Sequence, residues 1–147
     1  MPPEMTAGFL EEAAPLVEAY RSGDVAKALD LWMSAVSAPD WRSVVASTVP
    51  GGAEQAEQDA PTFFEVELPT LREWVFDRDR LSRISQPVLY VLGGESGPLF
   101  EAGKQHFQSL ILHTETVVLP GVNHLMQMRD PKLVAAPIAD FLSRQPL

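Results

Sequence analysis

Two apolar runs late in the chain, Pro87-Val88-Leu89-Tyr90-Val91-Leu92 and Thr116-Val117-Val118-Leu119-Pro120, constrain the fold more than any other feature. Neither alternates apolar with polar residues, as a strand with a solvated face does. A continuous run bounded by Pro and Gly reads as a strand covered on both faces, and such strands belong to parallel sheets. Parallel neighbours need a crossover. Leu99 to Leu112 supplies it, with Phe100, Phe107, Leu110 and Ile111 at helical spacing. Asp130-Pro131 predicts an N-cap followed by proline at the first helical position. That cap opens a terminal helix through Val134, Ile138, Phe141 and Leu142, kinked at Pro137. The order strand, helix, strand, helix predicts a right-handed parallel crossover and an α/β fold class.

Residues 1–84 follow a different rule and read as an acidic helical segment ahead of this unit, 85–147. Phe9 to Tyr20 carries a helical stripe with Pro15 at a kink or first turn. Gly23-Asp24 is a stop followed by an N-cap, and Val25, Ala28, Leu29, Trp32, Met33 and Val36 share the next helical face. Asp40 caps a short helix through Trp41, Val44 and Val45, and Pro50-Gly51-Gly52 is a turn. The polar, acidic tract Ala53 to Ala60 reads as a mobile surface segment. Phe63 to Phe76 is rich in aromatics and ends in Asp77-Arg78-Asp79-Arg80.

Charge separates the same segments. Residues 1–80 hold 15 acidic and 6 basic side chains, whereas residues 81–147 hold 5 of each, so the net charge of -9 lies in the first. An acidic surface repels phosphates and no basic stripe exists, which argues against nucleic acid as a partner. No apolar stretch reaches the roughly 20 residues that span a bilayer. The start Met1-Pro2-Pro3-Glu4-Met5 lacks the basic and apolar runs of a signal peptide, and a cytoplasmic location is the expectation. Without cysteine there is no thiolate ligand and no thiol nucleophile.

Two parallel strands leave sheet edges to be covered. The sequence therefore reads as the end of a larger fold, with a homodimer or a complementing amino-terminal half as the expected partner. In such a sheet the loops after both strands, Gly93-Gly94-Glu95-Ser96-Gly97 and Gly121-Val122-Asn123-His124, lie beyond the same carboxyl edge. Open α/β sheets bind ligands there. Glu95 and His124 can face each other across neighbouring strands, and a carboxylate beside an imidazole is the orienter–base pair of acyl hydrolases. The plainer reading makes Glu95 a solvated turn carboxylate and His124 a turn histidine. His106 and His113 can share a helix face, but no third ligand converges on them, and they read as surface or packing residues rather than a metal site.

Residues 85–147 resemble the carboxyl end of an α/β-hydrolase. The likeness rests on the strand Pro87–Leu92, its Gly-Gly-acid-Ser turn, the strand Thr116–Leu119, and Pro120-Gly121-Val122-Asn123-His124 before the last helix. Gly23-Asp24 to Trp74 is similar to the helical lid that these enzymes insert. The resemblance implies a hydrolase of an ester, amide or related carbonyl bond that needs no metal or organic cofactor. It implies His124 as general base, Glu95 as the nearest acid, and a lid roofing an apolar or ester-type substrate. The candidate substrate-binding residues are Trp32, Phe63, Phe64, Trp74 and Met126. The family's Gly-x-Ser-x-Gly nucleophile turn does not occur in this sequence. The expectation is a chain with little turnover by itself.

Other classes fit less well. Gly93-Gly94-x-x-Gly97 lacks the full dinucleotide spacing, and the helical pair around Gly23-Asp24 has no repeat. Ser96 with His124 as a minimal dyad is a rival catalytic reading. The non-enzyme alternative is a module that binds a partner or an apolar ligand without chemistry.

Overall fold

The computed structural model describes residue 8 and residues 11–73 and 78–145. They form two compact units, one within residues 2–75 and the other within 76–147. The change of pattern at Ser85-Gln86-Pro87 thus falls inside the second unit.

The first unit is helical. Helix α1, Ala14–Arg21, carries Pro15 in its first turn, where the missing N–H costs nothing, and buries Leu16 and Ala19. Helix α2, Val25–Val36, opens on Asp24, whose carboxylate accepts the Lys27 N–H at 3.2 Å. Helix α3, Trp41–Thr48, starts after Asp40 without a side-chain cap bond and buries Trp41 and Val45. Residues 53–60, expected to be mobile, instead lie in helix α4, Gly52–Pro61. The reason is small and easily missed. Ala53 and Ala60 lie two turns apart on one face and are both buried, while Glu54 and Asp59 face solvent.

A π-helical turn, Thr62–Glu67, links α4 to α5, Leu68–Glu73, and the Leu68 N–H reaches back to the Phe63 carbonyl. A wider turn suits this sequence. In an α-helix the ring of Pro69 would meet the Glu65 carbonyl, and Pro69 has no N–H to donate. Trp41, 1% exposed, is the largest fully buried side chain among the described residues. Its Nε1 donates to Asp30 Oδ1 at 3.0 Å, and the Arg42 guanidinium joins that carboxylate to Glu57, each at 2.8 Å.

In the second unit a short helix, α6, Arg78–Leu81, precedes strand β1, Val88–Gly93. Helix α7, Pro98–Leu110, crosses to strand β2, Thr114–Leu119, and α8, Met126–Arg129, and α9, Pro131–Ser143, close the chain. The strands pair in parallel, Val88 with Thr114 through Gly93 with Leu119. The class is mixed α/β, as the apolar runs predict. Asp130 caps α9 by accepting the Leu133 N–H at 2.9 Å, with Pro131 next, the arrangement its dipeptide predicts.

Each sheet face carries a helix. Val88, Tyr90 and Leu92 share a face with Thr114, Thr116 and Val118, and α7 lies there. Phe107 packs on Tyr90 with ring centroids 5.3 Å apart, and Gln108 donates to Thr116 Oγ1 at 2.7 Å. On the other face, Arg144 at the end of α9 pairs with Glu115 at 2.8 Å. The strands are less covered than continuous apolar runs suggest. Leu92, Gly93 and Leu119 are buried, whereas the rest of β1 is half-buried and Val118 is 49% exposed. A single helix does not blanket a two-stranded face.

Candidate functional site

The buried carboxyl ends of β1 and β2 lead into two loops that are joined by main-chain hydrogen bonds. The Gly94 N–H donates to the Leu119 carbonyl at 2.7 Å, and the Glu95 N–H donates to the Val122 carbonyl at 2.9 Å. Gly93 permits this approach. A Cβ at that position would collide with the Asn123 carbonyl oxygen and lie 2.6 Å from that of Val122. Gly97, at φ 87°, turns the first loop into α7 with Pro98 at its start.

Asn123 holds the second loop. It is the buried polar residue among those described, 7% exposed. Its Oδ1 accepts the Leu125 N–H and Arg129 Nε, both at 3.0 Å, so its desolvated oxygen is fully engaged. His124, the next residue, stands exposed at the sheet's carboxyl edge. One face of its imidazole stacks on Phe100, from the first turn of α7, with centroids 4.0 Å apart and planes 21° from parallel. Partial burial holds the His124 pKa below the ordinary histidine value. The ring is therefore neutral near pH 7 and able to accept a proton.

The loops of Glu95 and His124 are thus neighbours, as expected. Their side chains are not paired: among the described residues no hydrogen bond or ion pair joins them, and Glu95 is exposed. Ser96 is also unengaged. Its Oγ is buried and has no hydrogen-bond partner among the described residues, His124 included. Met126 is half-buried at the start of α8, and its N–H donates to the Asn123 carbonyl at 3.0 Å. His113 Nε2 lies 3.0 Å from the Gln86 carbonyl, a contact that ties the β2 entrance to the β1 entrance. No group of three or more His, Asp or Glu among the described residues is arranged to hold a metal ion. No helix among them is long and apolar enough to cross a membrane.

In the helical unit the structure brings three of the aromatic candidates together. Trp32 lies 4.8 Å from Phe63, Phe63 lies 5.0 Å edge-on to Phe64, and Phe64 stacks on Tyr20 at 4.5 Å. Tyr20 donates to Glu65 at 2.7 Å, which anchors the far end of the row. Phe64 is buried, while Trp32, Phe63 and Tyr20 keep part of their surface in solvent. Trp74 lies outside the described residues.

Two residues at the carboxyl edge were not singled out by the sequence. Phe100 reads as one apolar position of a helical stripe, and Asn123 as one letter of a loop. Helical phase alone did not pair Phe100 with a histidine on another loop. In a search of known proteins no family model, curated protein or solved structure matches this chain.

Proposed function

We propose that this chain supplies the general-base histidine and helical lid of an α/β-hydrolase-like enzyme acting on an ester, amide or related carbonyl bond. The observation that carries the reading is His124 itself. It is an exposed, partly desolvated imidazole on the loop after a parallel strand, at the sheet edge where α/β proteins bind ligands. In this role His124 removes the proton of an attacking hydroxyl and returns one to the leaving group. The Gly-x-Ser-x-Gly nucleophile turn does not occur in residues 1–147, so in this reading the nucleophile is supplied from outside them. Within the helical unit, the row of Trp32, Phe63 and Phe64 offers an apolar surface.

The open strand edges support the partner requirement. Pairing them, in a homodimer or with a chain that carries further strands, satisfies the outer backbone groups of a two-stranded sheet. The aromatic row favours a second reading, a module that binds an apolar ligand without chemistry.

The deciding experiment measures hydrolysis of p-nitrophenyl esters of graded acyl length. The chain is assayed alone and with a polypeptide carrying the nucleophile turn. The expected result is background turnover alone, and turnover with the partner that disappears in His124→Ala. Retained turnover in that variant removes the histidine from the mechanism. Ester binding without turnover under every condition supports the ligand-binding module instead.

A further inference from the structure

An imidazole on a loop can occupy several staggered rotamers, and an acid–histidine pair selects among them through one ring nitrogen. His124 has no such partner among the described residues, yet its ring is held. Phe100 lies against its face at 4.0 Å, and α7 carries Phe100 on a rigid support. That helix is fastened to the sheet through Phe107 on Tyr90 and Gln108 on Thr116. Next to His124 in the chain, Asn123 Oδ1 ties the histidine's loop to Arg129 of α8 and to the Leu125 N–H.

We propose that Phe100 is the positioning residue of His124, its stacked ring and the Asn123–Arg129 bond together doing the orienting that a carboxylate does in an acid–histidine pair. The hydrolase reading above supplies the histidine's role, while the stack is a property of the fold. The two devices differ in consequence. A carboxylate occupies one ring nitrogen and favours imidazolium. A stacked phenyl ring occupies neither nitrogen and, by excluding water, favours the neutral base. The charged groups on the surrounding elements are Glu95, Glu101 and Lys104, Arg129, Asp130 and Lys132. Glu101 and Lys104 pair with each other at 2.6 Å, Arg129 bonds Asn123, and Asp130 caps α9. Burial is the cause of the lowered His124 pKa, with no charge contributing.

Proton NMR titration of the full chain tests this, with His124 assigned by the loss of its signals in His124→Gln. In the wild type the His124 ring protons are expected upfield of an exposed histidine, from the ring current of Phe100, with a titration midpoint below the ordinary value. Phe100→Leu is expected to abolish the upfield displacement and raise the midpoint toward that value. Phe100→Tyr keeps both. Glu95→Gln leaves the midpoint in place. Wild-type ring protons at ordinary shifts would overturn the proposal even if the leucine variant failed to fold. So would a midpoint that drops in Glu95→Gln, which would reveal a carboxylate partner. These signals do not depend on turnover, so failure of the hydrolase reading and failure of the stack are separately visible.

Discussion

The imidazole of His124 lies on the ring of Phe100, 4.0 Å away and 21° from parallel. Its folded-state pKa is lowered by burial, so between that pKa and the ordinary value the unfolded chain binds more protons. The associated stability is present above the ordinary histidine range and is lost as pH falls through it to the folded-state pKa. Denaturant midpoints measured from about pH 8 to pH 5 are expected to fall on this limb. His124→Gln removes that component of the slope.

Gly93 and Gly103 make opposite predictions. At Gly93 an added methyl meets the carbonyls of Val122 and Asn123, and Gly93→Ala is expected to cost about 1–3 kcal/mol or more as the loops separate. At Gly103, inside α7, nothing lies within 4 Å of an added Cβ. Gly103→Ala is expected to stabilise by about 0.5–1 kcal/mol through the unfolded chain and helix propensity. Thermal melts followed by circular dichroism separate the two.

Asp30 accepts from the buried indole of Trp41 and from Arg42. Asp30→Ala strands the indole N–H, and the expected loss is about 1–3 kcal/mol, toward the low end because the carboxylate is half in solvent. Trp41→Phe removes the donor together with bulk and is expected to cost more. Urea unfolding of each variant, monitored in the far ultraviolet, checks the order.

Glu115 and Arg144 form an exposed pair in which the guanidinium holds the carboxyl below its ordinary pKa. The stabilisation is present above the ordinary carboxylate value and is lost as pH falls through the lowered one. In Arg144→Ala the Glu115 carboxyl is expected to titrate near its ordinary value by carbon NMR. Added salt should narrow the difference between wild type and variant, as screening requires.

Ser96 Oγ is buried without a partner among the described residues, so Ser96→Ala removes a desolvated hydroxyl that gains nothing from the fold. The expected outcome is an unchanged or higher melting temperature and undiminished turnover in the complemented hydrolase assay. Loss of turnover in a folded variant would bring Ser96 into the catalytic machinery.

Features that depend on neighbours in the chain were legible. Asp24 and Asp130 cap the helices their positions announce, because a cap spans only a few residues. The parallel strands follow from unbroken apolar runs on either side of a helical stripe. Helix α4 was missed because its buried face consists of two alanines in a polar tract, a signal too weak for periodicity to register. The π-helical turn was missed as well, since Pro69 forbids an ordinary turn without naming its replacement.

The candidate site divides along the same line. By itself the sequence determined that Glu95 and His124 follow successive strands and therefore reach the same sheet edge. The tertiary structure decided their company: Phe100 on the imidazole, Asn123 buried against Arg129, and Glu95 turned to solvent. Strand order and cap chemistry are short-range properties written in consecutive residues. The ring that lies on a histidine depends on how closely two loops converge, and here that is set by the missing Cβ of Gly93 and the packing of α7 on the sheet.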